Sequence, residues 1–388
     1  MRLLHTSDWH LGRSLHGVDL LEHQAQYLDH LVELAGEHKV GAVLVSGDVF
    51  DRAVPPVEAV TLLSETLSRL AAVTQVVLIS GNHDSARRLG FGAQLMRPEI
   101  HLVTLPDQVG QVVELGESSA AGPHLVFPIP FLDVDWARVA LAPDQEPLAR
   151  SHQAVLQAAM DKVRSGVARL GGRGRSVVLA HGFVGGGQAS DSERDLQVGG
   201  IGQVPASLFA GVDYVALGHL HGPQQINSGP GGPLMRYAGS PLTFSFSEMN
   251  QVKSTVLVDL GGSEVTTELI PAPVPHRMGE VSGTLEQLLG HRFDQVAKDW
   301  LRVWVTDQVR PDSMMETIGK RFPNALVTRH LPQGDLSQPL AGPSPEAVSP
   351  MEVANQFVTD VGGQPPTAAE SAALQAALDV VLAAEGRA

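Results

Sequence analysis

The sequence predicts an α/β protein built on a largely parallel sheet, and two patterns in its first 260 residues support this. Short apolar runs rich in leucine or β-branched residues are typical of buried strands. Between several of these runs, apolar residues recur every three or four positions, as in amphipathic helices. A chain that alternates strands and helices in this way builds a parallel sheet with right-handed crossovers.

The predicted elements can be placed along the chain from these patterns. The core strands are expected at Leu3–Thr6, Ala42–Ser46, Gln75–Ser80, Ser176–Ala180 and Tyr214–Leu217. Helices are expected at Leu20–His38 and Pro56–Ala72. The sheet region is expected to end with antiparallel strands at Met235–Tyr237, Thr255–Asp259 and Val265–Ile270.

Two proline-rich segments suggest domain boundaries. The first, PAPVP at 271–275, reads as a stiff connector before about 60 residues of strand, helix and strand, with the strands at Leu301–Val305 and Ala325–Thr328. The second, at 341–350, precedes two helical patterns at Met351–Val361 and Thr367–Ala384. We therefore predict domains at 1–270, 271–340 and 341–388. The last is a linker and a helix-loop-helix tail that docks on this chain or on a partner.

Composition excludes several classes of protein. The chain has 388 residues, of which 43% are hydrophobic and 18% are charged, so wholesale disorder is not expected. No apolar run approaches the length of a membrane span, and the amino terminus lacks the features of a signal peptide. The absence of cysteine excludes disulfides and thiolate sites and fits a reducing compartment, so we expect a cytoplasmic protein. The net charge of −15 argues against nucleic acid unless bound metal ions reverse the charge locally.

Polar side chains with metal-binding chemistry follow five of the predicted strands. They lie in the segments SDWH (7–10), SGDVFD (46–51), SGNHD (80–84), AHG (180–182) and GHLH (218–221). Open α/β sheets bind ligands at the carboxyl ends of their strands, so we expect these five segments at one edge of one sheet. Packing alone does not explain histidine, aspartate and asparagine at five strand ends.

The residue types at these strand ends narrow the kind of site. The candidate ligands are Asp8, His10, Asp48, Asn82, His181, His219 and His221. Oxygen and nitrogen ligands without sulfur suit manganese, iron or zinc, and this set is too rich in nitrogen for magnesium or calcium alone. Seven ligands exceed one site that must also hold substrate, so they suit two ions bridged by a carboxylate, for which Asp48 is the candidate. Two divalent ions with two carboxylates leave a local charge of about +2, which would attract a phosphodiester.

In this order the motifs D-x-H, G-D-x-x-D, G-N-H-D, a strand-end histidine and G-H-x-H resemble the calcineurin-like metallophosphoesterase superfamily. Over residues 1–270 the runs LLHTSDWHLGRS, SGDVFDRAVPP, SGNHDS, ALGHLH and YAGSPLTFSF resemble its SbcD family of bacterial nuclease subunits. The resemblance implies two central mixed sheets flanked by helices, a small α+β capping domain and a C-terminal helical tail. The tail, with SPMEVANQF, resembles the segment that engages the SbcC ATPase.

The resemblance also implies roles for individual residues. One ion is assigned to Asp8, His10, His221 and the bridging Asp48, and the other to Asp48, Asn82, His181 and His219. Asp51 closes the G-D-x-x-D motif but is left outside both sets of ligands. A hydroxide formed at the two ions attacks phosphorus, and His83 is the candidate acid that protonates the leaving group, with Asp84 as the residue that could orient its imidazole. Manganese is the expected metal, with magnesium, iron and zinc as alternatives.

By the same resemblance the substrate is double-stranded DNA. Expected activities are manganese-dependent 3′-to-5′ exonuclease and endonuclease cleavage at hairpins and blocked ends, in DNA repair, recombination and replication, under control of SbcC. A homodimer through helices of the nuclease domain, joined to two SbcC subunits, and a cytoplasmic, nucleoid-associated location follow as expectations. Two alternatives stay open: a phosphoesterase for nucleotides or phosphoproteins on the same metals, and a scaffold without activity.

Overall fold

The structure is a computed structural model that describes residues 1–116, 122–169, 171, 174–193, 202–332, 350–362 and 364–385. The chain divides into two compact units, Met1–Leu331 and Pro332–Ala388. The predicted linker at 341–350 lies almost wholly outside the described residues. The predicted division into three domains stays a prediction.

The regular elements are numbered here in chain order. The strands are β1 (Arg2–Thr6), β2 (Ser14–Leu15), β3 (Val18–Asp19), β4 (Ala42–Ser46), β5 (Gln75–Ile79), β6 (Ile100–Val103), β7 (Val113–Leu115), β8 (His124–Ile129), β9 (Ser176–His181), β10 (Tyr214–Gly218), β11 (Gln224–Ile226), β12 (Leu234–Tyr237), β13 (Ser254–Asp259), β14 (Thr266–Pro271), β15 (Met278–Gly283), β16 (Trp300–Val305) and β17 (Ala325–His330). The helices are α1 (Leu21–Glu37), α2 (Val57–Leu70), α3 (Ala86–Leu89), α4 (Val134–Ala140), α5 (His152–Arg169), α6 (Leu285–Leu289), α7 (Met314–Arg321), α8 (Pro350–Gly362) and α9 (Ala368–Glu385).

Two six-stranded mixed sheets form the body of the first unit. The first has the order β14-β13-β1-β4-β5-β6, in which β1, β4, β5 and β6 are parallel and β13 is antiparallel to both of its neighbours. The second has the order β11-β12-β10-β9-β8-β7, in which β8, β9, β10 and β12 are parallel. The two outer strands, β7 and β11, are antiparallel to their neighbours.

The sheets pack face to face, with helices on their outer faces. Along β4, Ala42 and Leu44 face the second sheet, whereas Val43 and Val45 belong to the core that the first sheet forms with α1 and α2. The outer face of the second sheet packs on α4 and α5. Because both faces of each sheet are covered, the central strands read as continuous apolar runs in the sequence. The two mixed sheets flanked by helices are those that the motif resemblance implied.

A small third sheet follows the two large ones within the same unit. Its strands β15, β16 and β17 are all parallel, and α6 and α7 pack on it around Val303 and Ile318. The sequence predicted only the second and third of these strands; β15 (MGEVSG) was missed because it carries one strong apolar residue, Val281. A cluster that contains Leu15, Phe244 and Trp300 joins this sheet to the region of the β2–β3 hairpin.

Most predicted elements match the structure within two residues. One pairing differs: β12, expected as an antiparallel strand, is parallel to β10 and antiparallel only to β11. Helices α8 and α9 of the second unit agree with the two predicted tail helices. Among the described helices, none combines the length and the apolar composition that a bilayer span requires.

Candidate metal centre

The five polar strand ends lie together, but they come from two sheets rather than from one. β1, β4 and β5 belong to the first sheet, and β9 and β10 belong to the second. The two sheets are linked at this edge by hydrogen bonds at Ser46: its hydroxyl donates to Ala216 O at 3.0 Å, and its carbonyl accepts from Nδ1 of His181 at 2.8 Å. The single-sheet expectation was wrong because periodicity alone does not assign parallel strands to one sheet or another.

The backbone at these turns adopts unusual conformations. Four candidate ligands have positive φ angles: Asp8 at 54°, His10 at 46°, Asp48 at 49° and His219 at 112°. Such angles cost about 1–3 kcal/mol each in residues with a side chain, and they concentrate at functional sites. The backbone approaches closely at the neighbouring Gly81, since a Cβ there would lie 2.1 Å from Oδ1 of Asp48.

A first cluster consists of Asp8, His10 and His221, whose ligand atoms lie within 4.8 Å of one another. All three side chains are buried. Nε2 of His10 faces Nε2 of His221 at 3.2 Å. The carboxylate of Asp8 accepts a hydrogen bond from the Ser7 hydroxyl at 2.5 Å and from the main-chain N–H of His219 at 3.0 Å.

A second cluster consists of Asp48, His181 and His219, with Asn82 beside them. Oδ1 of Asn82 lies 3.0 Å from Nε2 of His181 and 3.1 Å from Nδ1 of His219. The other ring nitrogen of His181 is held by Ser46 O, so Nε2 is the nitrogen that faces the cluster.

Asp48 lies between the two clusters. Its Oδ1 accepts the main-chain N–H of His83 at 2.9 Å. Its Oδ2 lies 3.7 Å from Nε2 of His10 in the first cluster and 3.5 Å from Nε2 of His181 in the second. One carboxylate oxygen is therefore shared by imidazoles on both sides.

Two imidazoles of the first cluster have a carboxylate near Nδ1, which favours a hydrogen on Nδ1 and leaves Nε2 available to bind a cation. Nδ1 of His221 lies 3.2 Å from Oε1 of Glu248, and Nδ1 of His10 lies 3.5 Å from Oδ1 of Asp51. In neutral rings with N–H at Nδ1, both Nε2 atoms carry lone pairs, and these face each other. A cation between them turns this repulsion into coordination. The donor set and its geometry therefore fit metal ions.

Burial and neighbouring charges shift the pKa values in opposite directions across the site. Burial lowers the pKa of His10 and of His219 to about 3, so both rings are neutral, as metal ligands must be. Burial raises the pKa of Asp8 to about 6. Burial alone would lower the pKa of His181, but the Asp48 carboxylate beside it raises that pKa to about 9.

The two predicted catalytic residues have different surroundings. Nδ1 of His83 hydrogen-bonds the carbonyl of Asp51 at 2.8 Å, and its ring lies against that of His10 with the centroids 4.7 Å apart. Among the described contacts, the carboxylate of Asp84 bonds main-chain groups and not this imidazole. Its carboxylate accepts three main-chain N–H groups, from Val49 at 3.1 Å, Phe50 at 2.9 Å and Gly81 at 2.9 Å. Asp84 thus ties two ligand-bearing loops together, and burial raises its pKa to about 7.

Sequence reasoning missed three charged residues behind the first cluster: Glu193, Glu248 and Lys253. All three are buried. Glu193 accepts the main-chain N–H of His221, and Glu248 is paired with Lys253 at 2.7 Å. They are distant in sequence from most of the ligand motifs, so no spacing pattern identified them. The residues around Lys253 gave no indication that its side chain is buried.

The comparisons with known proteins agree with the geometry. The model of the family "Calcineurin-like phosphoesterase" matches residues 1–223. The D subunit of the nuclease SbcCD from Bacillus subtilis is 38% identical over 278 residues, which cover 69% of this chain and 68% of that protein. The protein of the same name from Staphylococcus epidermidis is 28% identical and covers 84% of each chain.

Solved structures are more distant. The crystal structure of TT1561 of Thermus thermophilus is 16% identical, with a TM-score of 0.39, and the match covers 69% of this chain and 98% of that one. The two clusters described above have the histidine and aspartate composition of a dimetal site. The chain therefore belongs to the calcineurin-like phosphoesterases and, within them, to the SbcD family of nuclease subunits.

Proposed function

We propose that this protein is a two-metal nuclease that hydrolyses phosphodiester bonds of double-stranded DNA and works with manganese. The observation that carries the proposal is the position of Asp48, whose Oδ2 lies within 3.7 Å of an imidazole nitrogen in each cluster. A shared carboxylate is what two adjacent cations require. Magnesium, iron and zinc are the alternatives to manganese, because the same oxygen and nitrogen ligands bind them.

The proposed ligands follow from the two clusters. Asp8, His10 and His221 hold one ion, Asn82, His181 and His219 hold the other, and Asp48 bridges them. Bound ions supply positive charge to the phosphoryl oxygens and lower the pKa of a water to near neutrality. Phe244 packs edge-on against His10 and His221, with centroid distances of 5.2 and 5.4 Å, and so helps to fix both imidazole rings.

His83 is proposed as the acid that protonates the leaving oxygen. Its main-chain N–H holds Asp48, and its Nδ1–H donates to the carbonyl of Asp51, so the proton given to the leaving oxygen comes from Nε2 of the doubly protonated ring. Asp51 in turn accepts from Arg13 at 3.2 Å and lies beside His10. We assign Asp84 a positioning role in place of a catalytic one.

We further propose 3′-to-5′ exonuclease activity and endonuclease cleavage at hairpins and blocked ends, in complex with the SbcC ATPase. The similar proteins are named as D subunits of the nuclease SbcCD, which supports a nuclease that acts with a C subunit. The cleavage polarity, the DNA end structures and the ATPase activity of the partner follow from the motif resemblance. Helix α8 offers a surface for this partner, because Val353 and Phe357 are exposed one turn apart. The three predicted domains and the cytoplasmic location belong to the same proposal.

A nuclease assay on end-labelled duplex and hairpin DNA tests the proposed activity. Each substrate is incubated with manganese, magnesium or a chelator, in the presence and in the absence of SbcC and ATP. Cyclic nucleotides and phosphopeptides are assayed in parallel. We expect cleavage of DNA that depends on manganese and is lost with chelator. Faster turnover of cyclic nucleotides than of DNA would favour a small-molecule phosphoesterase, and no turnover of any substrate would favour the scaffold.

An exposed apolar surface supports the proposed homodimer through the nuclease domain. Phe91 and Leu95, which follow α3, are 84% and 89% exposed, and they line one cavity together with the exposed Val60 of α2. Apolar patches of this kind mark protein interfaces. Light scattering should find a dimer for the parent and a monomer for Leu95→Glu. Val309→Glu, at an exposed valine elsewhere, should stay dimeric; if both variants stay dimeric, this surface is not the interface.

A further inference from the structure

Every polar atom of His221 except Nε2 is already engaged by the protein. Its main-chain N–H donates to Glu193, and its main-chain carbonyl accepts from Nζ of Lys253 at 3.0 Å. Its Nδ1 lies 3.2 Å from Oε1 of Glu248 and 2.9 Å from the hydroxyl of Ser192. Only Nε2 faces the first cluster, so this imidazole is held in one orientation from all sides.

The carboxylate behind this imidazole is itself fixed by a buried lysine. Oε2 of Glu248 accepts from Nζ of Lys253 at 2.7 Å and from the main-chain N–H of Phe244 at 3.1 Å. Lys253 is 2% exposed and also donates to Ser240 at 2.9 Å and to Gln251 at 2.8 Å. The pair is neutral overall, but its negative end faces Nδ1 of His221.

The second cluster has no such support among the contacts described. Nδ1 of His181 donates to a main-chain carbonyl, that of Ser46. Its third member is an amide, Asn82, whose oxygen faces both histidines. An imidazole whose Nδ1–H is bound by a neutral carbonyl donates less electron density to a cation than an imidazole backed by a carboxylate does, and a neutral amide ligand adds no negative charge. The two clusters therefore differ in their electrostatics, although they share Asp48.

We propose that Glu248, held by Lys253, is a positioning residue that makes the Asp8/His10/His221 cluster the tighter of the two cation sites. This inference rests on the two-metal function proposed above. A carboxylate behind a metal-binding histidine fixes the ring and increases its basicity, and its loss commonly weakens metal affinity 10- to 100-fold. The network therefore sets an order of filling: the first cluster binds its ion before the second.

The order of filling is tested by titrating the protein with manganese. Binding is measured by calorimetry and by the EPR signal of the free ion. The parent protein should bind two ions in two steps of unequal affinity. His219→Ala should remove the weaker step and keep the tighter one. Glu248→Gln should weaken the tighter step about 10- to 100-fold and leave the other unchanged. Asp213→Asn, which removes a carboxylate paired with Arg175 at the other end of the sheet, should change neither step.

A second variant separates metal affinity from folding. Glu248→Gln leaves the Lys253 ammonium buried without a carboxylate, which is costly. Glu248→Gln/Lys253→Met removes both charges and should restore the melting temperature while the tighter step stays weakened. Two equal steps in the parent, or an unchanged tighter step in both variants, would overturn the inference. A parent that binds no manganese would overturn the proposed function instead.

Discussion

The two ends of the second sheet use the same residue types in opposite ways. At the amino end, Asp213 accepts from Arg175 at 2.7 Å and from the main-chain N–H and the hydroxyl of Ser176 at 2.8 Å each. At the carboxyl end, His181 and His219 face a single amide oxygen, and His221 faces His10. Each acceptor meets its own donors at the first end, whereas at the second end two imidazoles share one amide oxygen and two other imidazole nitrogens face each other.

This difference separates structural polar groups from functional ones. A carboxylate whose neighbours already donate to it needs no further ligand, and removing it costs only local stability. A group of buried rings and carboxylates that share acceptors becomes favourable when cations occupy it. Substitutions at the two ends should therefore have opposite consequences, with activity lost at one end and stability lost at the other.

The largest effect is expected for Asp48→Asn. This change removes the charge shared by both clusters, so nuclease activity should fall by more than the roughly 10- to 100-fold typical of a residue that acts behind a ligand. Asp213→Asn should keep the activity of the parent when both are assayed on end-labelled duplex DNA with manganese. Equal activity of the two variants would contradict the functional contrast between the two ends.

His83→Ala should separate chemistry from metal binding. The ring is not needed to hold either ion in the proposed assignment, and removing a general acid costs roughly 10²–10⁴-fold in rate. Turnover should therefore fall while manganese stoichiometry, measured by equilibrium dialysis, stays at two per chain. Loss of an ion together with activity would make His83 a ligand instead, as its place beside His10 and Asp48 permits.

Gly81→Ala tests how tightly the ligand-bearing turns are packed. The added Cβ would lie 2.3 Å from the main-chain nitrogen of Asp48, a contact that forces the turn to move. We expect a loss of about 1–3 kcal/mol in the free energy of unfolding, measured in urea. Gly182→Ala is the control, because a Cβ there meets nothing within 4 Å, and its stability should match the parent.

The smallest effect is expected at the amino end, where Asp213→Asn should lower stability by about 1 kcal/mol at neutral pH. Burial would raise the pKa of Asp213, but hydrogen bonds from Ser176 and the pairing with Arg175 lower it below its usual 3.8. The folded protein therefore gains stability above the unfolded pKa and loses it as pH falls through the folded one. Urea unfolding should show that the difference in the free energy of unfolding between parent and variant is smaller at pH 3 than at pH 7. If this difference is the same at both pH values, the ionised carboxylate of Asp213 is not its source.

The candidate ligands, whose role stays a proposal, could be located from the sequence because each follows a strongly apolar strand. His181 is the last residue of β9 and His219 directly follows β10, and both strands were recognisable from composition alone. The residues that hold the candidate ligands in place through hydrogen bonds could not be predicted. Glu248 lies 27 residues from the ring that it holds, and two of the main-chain donors to Asp84, those of Val49 and Phe50, belong to the loop after another strand. Such contacts depend on where two sheets meet, which local periodicity does not encode.

The sheet assignment shows the same limit. β1 and β10 have similar apolar composition, yet they belong to different sheets, and His5 of β1 contacts the hydroxyl of Tyr214 at 3.0 Å and the carbonyl of Leu217 at 3.2 Å in β10. The parallel pairing of β12 with β10 was missed for the same reason, because its short apolar run fits either direction. The sequence did show that all five polar segments follow predicted strands. This was sufficient to predict that the five segments lie close together.

The most direct test of the central claim is low-temperature EPR of the protein with two equivalents of manganese. If Asp48 bridges two ions, the spectrum should be that of an exchange-coupled manganese pair, and Asp48→Asn should abolish the coupling. A six-line spectrum of isolated manganese in the parent, or one ion bound per chain, would contradict the account.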